Sequence, residues 1–219
     1  MLASMDCCDP NGLNRVFAGP VVQRELRAFK RNGLNRRQRK IVEVLEPGVP
    51  GASILDVGCG IGAIGTTLLT KGAGSGTFVD VSSAYLSGAR EVARNAGVGE
   101  RASFRHEDFA ASENPYAQAD VVVLDRVVCC YPDATALLEK AAGCSRQTLL
   151  FTYPRSFWFM PLFRALCTLG MRLSGQEYRF FLHDPQLMLR AATSTGHKLV
   201  DTRPVGLWQL VNLSKQHLR

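Results

Sequence analysis

The sequence predicts an α/β fold, a Rossmann-like doubly wound sheet with helices on both faces. Three observations predict it. Short apolar runs of strand length alternate with longer helical stretches, a glycine turn follows directly on the first run, and acidic residues stand at the ends of three successive runs. Two helices come first, at 20–31 and 36–45, with Asn32 and Gly33 as the break and 47–51 as a linker. Strands at 54–57, 77–81, 102–105, 121–124 and 148–152 then take turns with helices at 61–69, 84–95 and 133–142. Such alternation makes a parallel sheet, because a crossover helix returns the chain to the edge from which it left. Residues 197–202 and 207–213, on either side of Pro204, Val205 and Gly206, read as a closing hairpin.

The most informative stretch is Ile54, Leu55, Asp56, Val57, Gly58, Cys59, Gly60, Ile61, Gly62: a buried strand that ends on an acid and runs into glycines. Gly60, Gly62 and Gly65 satisfy a dinucleotide fingerprint. Asp56 argues against that ligand, since a carboxylate at the strand mouth repels a pyrophosphate in a partly desolvated crevice but suits an ammonium and a sulfonium. S-adenosylmethionine is therefore the expected cofactor. Asp80 ends the second strand some two dozen residues after Asp56, the spacing at which a carboxylate accepts ribose hydroxyls. Asp108 follows the third strand and is placed to take an adenine amino group, with a neighbouring backbone N–H on a ring nitrogen. On the alternative reading Asp56 and Asp80 cap helices, Asp108 is a loop carboxylate and the glycines only turn the chain.

Asp56 with Gly58, Gly60 and Gly62, then Asp80 leading into Val81, Ser82, Ser83, Ala84, Tyr85 and Leu86, then Asp108, resemble the successive cofactor motifs of class I S-adenosylmethionine-dependent methyltransferases. The resemblance covers residues 52–153. It implies an antiparallel last strand and a cofactor site built from Asp56, Gly58, Cys59, Gly60, Gly62, Asp80, Val81, Asp108, Phe109, Leu124 and Asp125, the last two for the methionine end. A partial resemblance to magnesium-protoporphyrin O-methyltransferases rests on 125–131 and on Phe151, Thr152, Tyr153, Pro154 and Arg155; Arg126 and the Cys129–Cys130 pair depart from that pattern. One methyltransferase domain over 1–219 is expected, with a helical cap over 1–50 and a substrate-side helical insertion over 154–196.

Methyl transfer needs little acid–base chemistry, because the sulfonium is already activated; a base is needed only for a neutral acceptor. Tyr131 and His183 are the catalytic candidates, set against a ring packed under its loop for Tyr131 and a cap at Asp184 and Pro185 for the His183 segment. His106 is expected near the adenine. The stretch 157–171 is apolar nearly all round, which suits a core helix, a lid over a hydrophobic acceptor or a membrane-touching face. Together with the basic cap helices it is expected to wall the acceptor site.

Composition bounds the rest. With 219 residues, 46% of them hydrophobic, the chain can bury a full core. It lacks a signal-peptide layout or an apolar run long enough to span a bilayer, so a cytoplasmic location is expected. The seven cysteines include the vicinal pairs Cys7–Cys8 and Cys129–Cys130, which fit a reducing compartment and not the spaced ligands of zinc; no metal is expected. Arg24, Arg27, Lys30, Arg31, Arg36, Arg37, Arg39 and Lys40 concentrate much of the net charge of +7, which suits a solvated face, an acidic substrate or peripheral contact with an anionic membrane; nucleic acid is not expected, since no aromatic-interleaved motif accompanies the charges. The expected reaction is methylation of a small molecule, O-methylation of an acidic or hydrophobic acceptor. Two other readings are open: a non-catalytic cofactor-binding regulator or partner subunit, and transfer to a thiol or metalloid held by Cys7, Cys8, Cys129 and Cys130.

Overall fold

The computed structural model describes residues 19–155 and 181–215. The helical cap comprises α1 (Gly19–Asn32) and α2 (Arg36–Leu45). Gly33, at φ +64°, ends α1 by donating its N–H to the Phe29 carbonyl at 2.7 Å, and Asn35 starts α2 with a capping box closed by Gln38. The sheet follows as β1 (Ser53–Val57), α3 (Ala63–Thr70), β2 (Ser75–Asp80), α4 (Ser83–Asn95), β3 (Ala102–His106), β4 (Ala119–Leu124), α5 (Ala134–Cys144), β5 (Ser145–Pro154), α6 (Pro185–Thr193), β6 (Lys198–Val205) and β7 (Trp208–Ser214).

Strand order is β3-β2-β1-β4-β5-β7-β6. Pairs among β1 to β5 are parallel, and β7 alone runs against its neighbours β5 and β6. The expected fold class holds. The order reverses between β1 and β4, and at such a switch point the crevice beyond the strand ends is open to a ligand.

Alternation along the strands divides the core. Leu55, Val57, Val122, Leu124, Leu149 and Phe151 face α5 and α6; Ile54, Phe78, Val121, Val123 and Leu150 face α2 and α3. Val121 to Leu124 are buried on both faces, as a central parallel strand requires. Helix α1 lies over α4, where Val22 and Leu26 meet the Cβ-free surface of Gly88.

Element ends moved where turn chemistry overrode periodicity. Helix α3 begins at Ala63 and not at Ile61, because Gly60 and Gly62 hold φ at +55° and +68°. Strand β2 stops at Asp80, whose carboxylate takes the Ser82 N–H, and β5 starts at Ser145 directly from α5. No helix among the described residues is long and apolar enough to cross a membrane. Cys7, Cys8 and the stretch 157–171 lie outside the described residues, as does most of the expected insertion.

Candidate active site

Beyond the carboxyl ends of the parallel strands lies a cavity of about 460 Å³. Its floor is the turn after β1. Gly58, at φ +62°, passes so close to the next loop that a Cβ there would stand 2.4 Å from Val127 Cγ2. Behind the turn, Gly65 seats α3 on the sheet: a Cβ would lie 2.5 Å from Phe78 Cε1 and 2.9 Å from Asp56 Oδ2. The Gly65 N–H donates to that same Asp56 oxygen at 3.1 Å.

Asp56 and Asp80 both line the cavity and both are buried. Burial pushes the Asp56 carboxyl up to about 7, aided by the charges of Asp125 and Asp80 and opposed by the Gly65 N–H. Burial likewise lifts Asp80 to about 6, against the N–H groups of Ser82 and Gly60, which donate to its two oxygens at 2.8 and 2.9 Å. Each Asp80 oxygen keeps a second acceptor site. Asp108 Oδ1 accepts from the N–H groups of Ala110 and Ala111, and Oδ2 accepts the Tyr131 hydroxyl at 3.1 Å.

Cys59, Gly60, Val81, Phe109 and Asp125 also line the cavity. Two expected site residues stand behind its wall: Gly62 is the N-cap of α3, and Leu124 is fully buried at the end of β4. Among the catalytic candidates, Tyr131 reaches the cavity, yet its ring packs on the core and its hydroxyl is raised by burial and by Asp108. His183 donates from Nε2 to the Tyr131 carbonyl at 2.9 Å, and Asp184 caps α6 through the Gln186 N–H. His106 holds the Val81 carbonyl at 3.0 Å, beside the cavity wall.

The cap helices supply Glu25, Arg37 and Gln38 to the cavity. Arg37 grips Asp125 with two hydrogen bonds, Nε to Oδ1 at 2.8 Å and Nη2 to Oδ2 at 2.9 Å. Thr152 adds its hydroxyl to Oδ1 at 2.9 Å. Glu25 accepts the buried Tyr85 hydroxyl, which burial and that carboxylate raise. The Cys129 and Cys130 thiols lie 3.8 Å apart, and both donate to the Arg126 carbonyl.

A family model described as a methyltransferase domain matches residues 54–147, the span that holds the glycine turn and all three acids. The fold is shared with magnesium protoporphyrin IX methyltransferase from Synechocystis PCC 6803, solved with bound SAH, at a TM-score of 0.73, 17% identity, 93% of this chain and 98% of that one. The domain match is confined to residues 54–147, and the fold is the class I methyltransferase fold. The same fold appears in an O-methyltransferase family 2 protein from Planctomyces limnophilus in complex with apigenin (TM-score 0.65, 22% identity, 90% of this chain and 61% of that one) and in an S-adenosylmethionine-dependent methyltransferase from Mesorhizobium loti (0.62, 15%, 80% and 96%). No curated protein matches this chain in sequence.

Sequence reasoning overlooked Trp208, Leu207, Glu25, Gln38 and Pro154 as cavity residues. Arg37 had a signal, as part of the basic run. Its partner Asp125 is 88 positions away, so no local pattern connects them.

Proposed function

We propose that this methyltransferase domain moves a methyl group from S-adenosylmethionine to an oxygen of a small acceptor with a hydrophobic body. The observation that carries the reading is the single cavity edge on which three strand-end acids, a glycine turn and apolar walls meet. Bound S-adenosylmethionine supplies a methyl group already activated by its sulfonium. On this reading Asp80 takes the ribose hydroxyls on its spare acceptor sites, Asp108 and Phe109 border the adenine, the backbone at Gly58, Cys59 and Gly60 lies along the cofactor, Asp56 puts negative charge near the methionine ammonium, and Asp125, neutralised by Arg37, holds the loop at that end in place. The protein's remaining work is to hold the acceptor in line and keep water out.

Tyr131 and His183 are engaged elsewhere by their own hydrogen bonds, which favours an acceptor that needs no base from either. Titration calorimetry with S-adenosylmethionine, S-adenosylhomocysteine and NAD tests the cofactor: heat from both sulfur nucleotides and none from NAD is expected. Incubation of the protein with labelled S-adenosylmethionine and small-molecule extracts, followed by mass spectrometry, tests the transfer. Label in an ester or ether supports the reading; cofactor binding without any labelled product would favour a non-catalytic, cofactor-binding role.

A further inference from the structure

The vicinal pair Cys129 and Cys130 has no part in the proposed transfer, yet both residues line the cavity. They close the 3₁₀ turn Val128–Cys130, in which neighbouring side chains ordinarily point a third of a turn apart. Here they converge. Both thiols donate to the Arg126 carbonyl, at 3.6 and 3.4 Å, and the two sulfurs lie 3.8 Å apart. That oxygen is set in place by the left-handed backbone of Arg126, φ +65°, whose N–H donates to the buried Thr152 Oγ1 at 2.9 Å. Two sulfurs are thus presented side by side to the cavity, Cys129 buried and Cys130 half-buried.

The spacing selects a chemistry. A disulfide does not fit, since it wants sulfurs about 2.05 Å apart on Cα atoms about 4.4–6.8 Å apart, whereas consecutive Cα atoms stand about 3.8 Å apart across a trans peptide. A linear two-coordinate metal, at the roughly 2.3 Å of a metal–thiolate bond, would hold the sulfurs roughly 4.6 Å apart, and a zinc tetrahedron needs further ligands. Among the described residues no three Cys, His, Asp or Glu group into a metal site, although Cys59 lines the same cavity. One atom bonded to both sulfurs at that length, with an angle between about 90° and 110°, spans about 3.3–3.8 Å. Such a centre is pyramidal and trivalent, and its third bond goes to a group that is not the protein's. The Cys130 contact, and then burial, raise the Cys129 thiol well above its ordinary value, so the pair rests protonated. Protonated thiols are poor nucleophiles for thiol–disulfide exchange, but they condense with a hydroxylated centre, whose hydroxyl carries the proton away as water.

We propose that Cys129 and Cys130 form a dithiol site that captures a mono-organic trivalent arsenical, R–As(OH)2, with the organic group lying in the cavity. In the capture step both S–H bonds and both As–OH bonds break, two As–S bonds form and two waters leave; arsenic stays trivalent, so neither oxidant nor reductant takes part. The Arg126 carbonyl gives up both thiol donors, and the organic group takes cavity volume. The site does not depend on the methyltransferase reading above.

The probe is phenylarsine oxide, which is phenylarsonous acid in water, added to the full-length chain carrying Cys7→Ser and Cys8→Ser so that the other vicinal pair is out of the count. Intact-mass measurement in excess 2-mercaptoethanol, a monothiol that strips singly held arsenic, should show one phenylarsenic per chain. The competing dithiol 2,3-dimercaptopropanol should remove it, and tandem mass spectrometry should place it on the peptide that carries Cys129 and Cys130. Cys130→Ser, which keeps a hydroxyl for the Arg126 carbonyl, and separately Cys129→Ala should each weaken capture at least about a hundred-fold, because the second sulfur acts at high effective concentration. Circular dichroism of the Cys130→Ser chain should match its parent, so that the loss reads as a lost sulfur and not as a lost fold. No adduct retained against the monothiol, an adduct on another peptide, or retention in either cysteine variant overturns the proposal.

Discussion

Arg37 on the second cap helix and Asp125 at the end of β4 form a two-bond ion pair with only 12% and 10% of their side chains exposed. The pair ties the helical cap to the loop that borders the sulfonium end of the proposed cofactor site. Removing the cation alone leaves a carboxylate buried with one hydroxyl donor, so Arg37→Met should lower stability in urea unfolding by about 3 kcal/mol, with Arg37→Met/Asp125→Asn recovering part of the loss. A loss in the double variant equal to the sum of the Arg37→Met and Asp125→Asn losses would show that the pair is not coupled.

Acid should weaken cofactor binding. Asp56 and Asp80, lifted to about 7 and about 6, carry protons in the free protein below those values, whereas on the proposed reading an ammonium near Asp56 and ribose hydroxyls donating to Asp80 favour their ionised forms. Binding then releases protons, and affinity rises with pH between about 5 and 7, by as much as about ten-fold per unit for each proton released. Calorimetry at pH 6 in two buffers of different ionisation enthalpy counts those protons; identical heats in both would refute the linkage.

His197 predicts an opposing effect on stability. It is buried between Ser145 and Thr195, and burial, with the nearby Lys215 charge, lowers it to about 4. Its folded value lies below the ordinary 6.5, so the stability it protects is complete above about 6.5 and is lost as pH falls through about 4, up to roughly 3 kcal/mol. Asp56 and Asp80 work in the other sense, since their ionisation costs stability as pH rises from about 4 to 7. The difference in unfolding free energy between wild type and His197→Gln isolates the histidine: it should shrink on acidification, and a flat difference would contradict the assignment.

Gly65→Ala should cost about 1–3 kcal/mol, because its Cβ collides with Phe78 and with the Asp56 carboxylate. Thermal unfolding measures the loss, and S-adenosylhomocysteine affinity should fall with it as Asp56 is displaced.

Arg126→Gly should do the reverse and raise stability by about 1 kcal/mol through relief of the positive φ. An unchanged or lower unfolding temperature would mean that the guanidinium contact with Trp208 outweighs the strain.

What was legible in the sequence was local. The strand–turn–helix around Asp56 and the acids at Asp80 and Asp108 announce themselves because hydrophobic periodicity and turn residues act over a few positions. The cavity's far lip was illegible for the complementary reason. Trp208 reaches it only because β7 inserts antiparallel between β5 and β6, and Arg126 is directed by Thr152, Cys129 and Cys130 through bonds that no periodicity encodes. Cys129 and Cys130 looked like small apolar fillers or ligands; their thiols in fact brace the Arg126 carbonyl. Gly62 and Leu124 stand behind the cavity without lining it, one as a helix start and the other as buried strand.

The reversed direction of β7 has a consequence for how such a domain diversifies. Because β7 begins where the parallel strands end, the two-residue turn at Gly206 and Leu207 hangs over the cavity from strands that make no part of the glycine turn or its acids. If the cavity holds donor and acceptor as proposed, acceptor preference can drift through one short surface turn while the glycine turn and its acids stay fixed, so new substrates are reachable by changes that leave methyl-donor binding untouched.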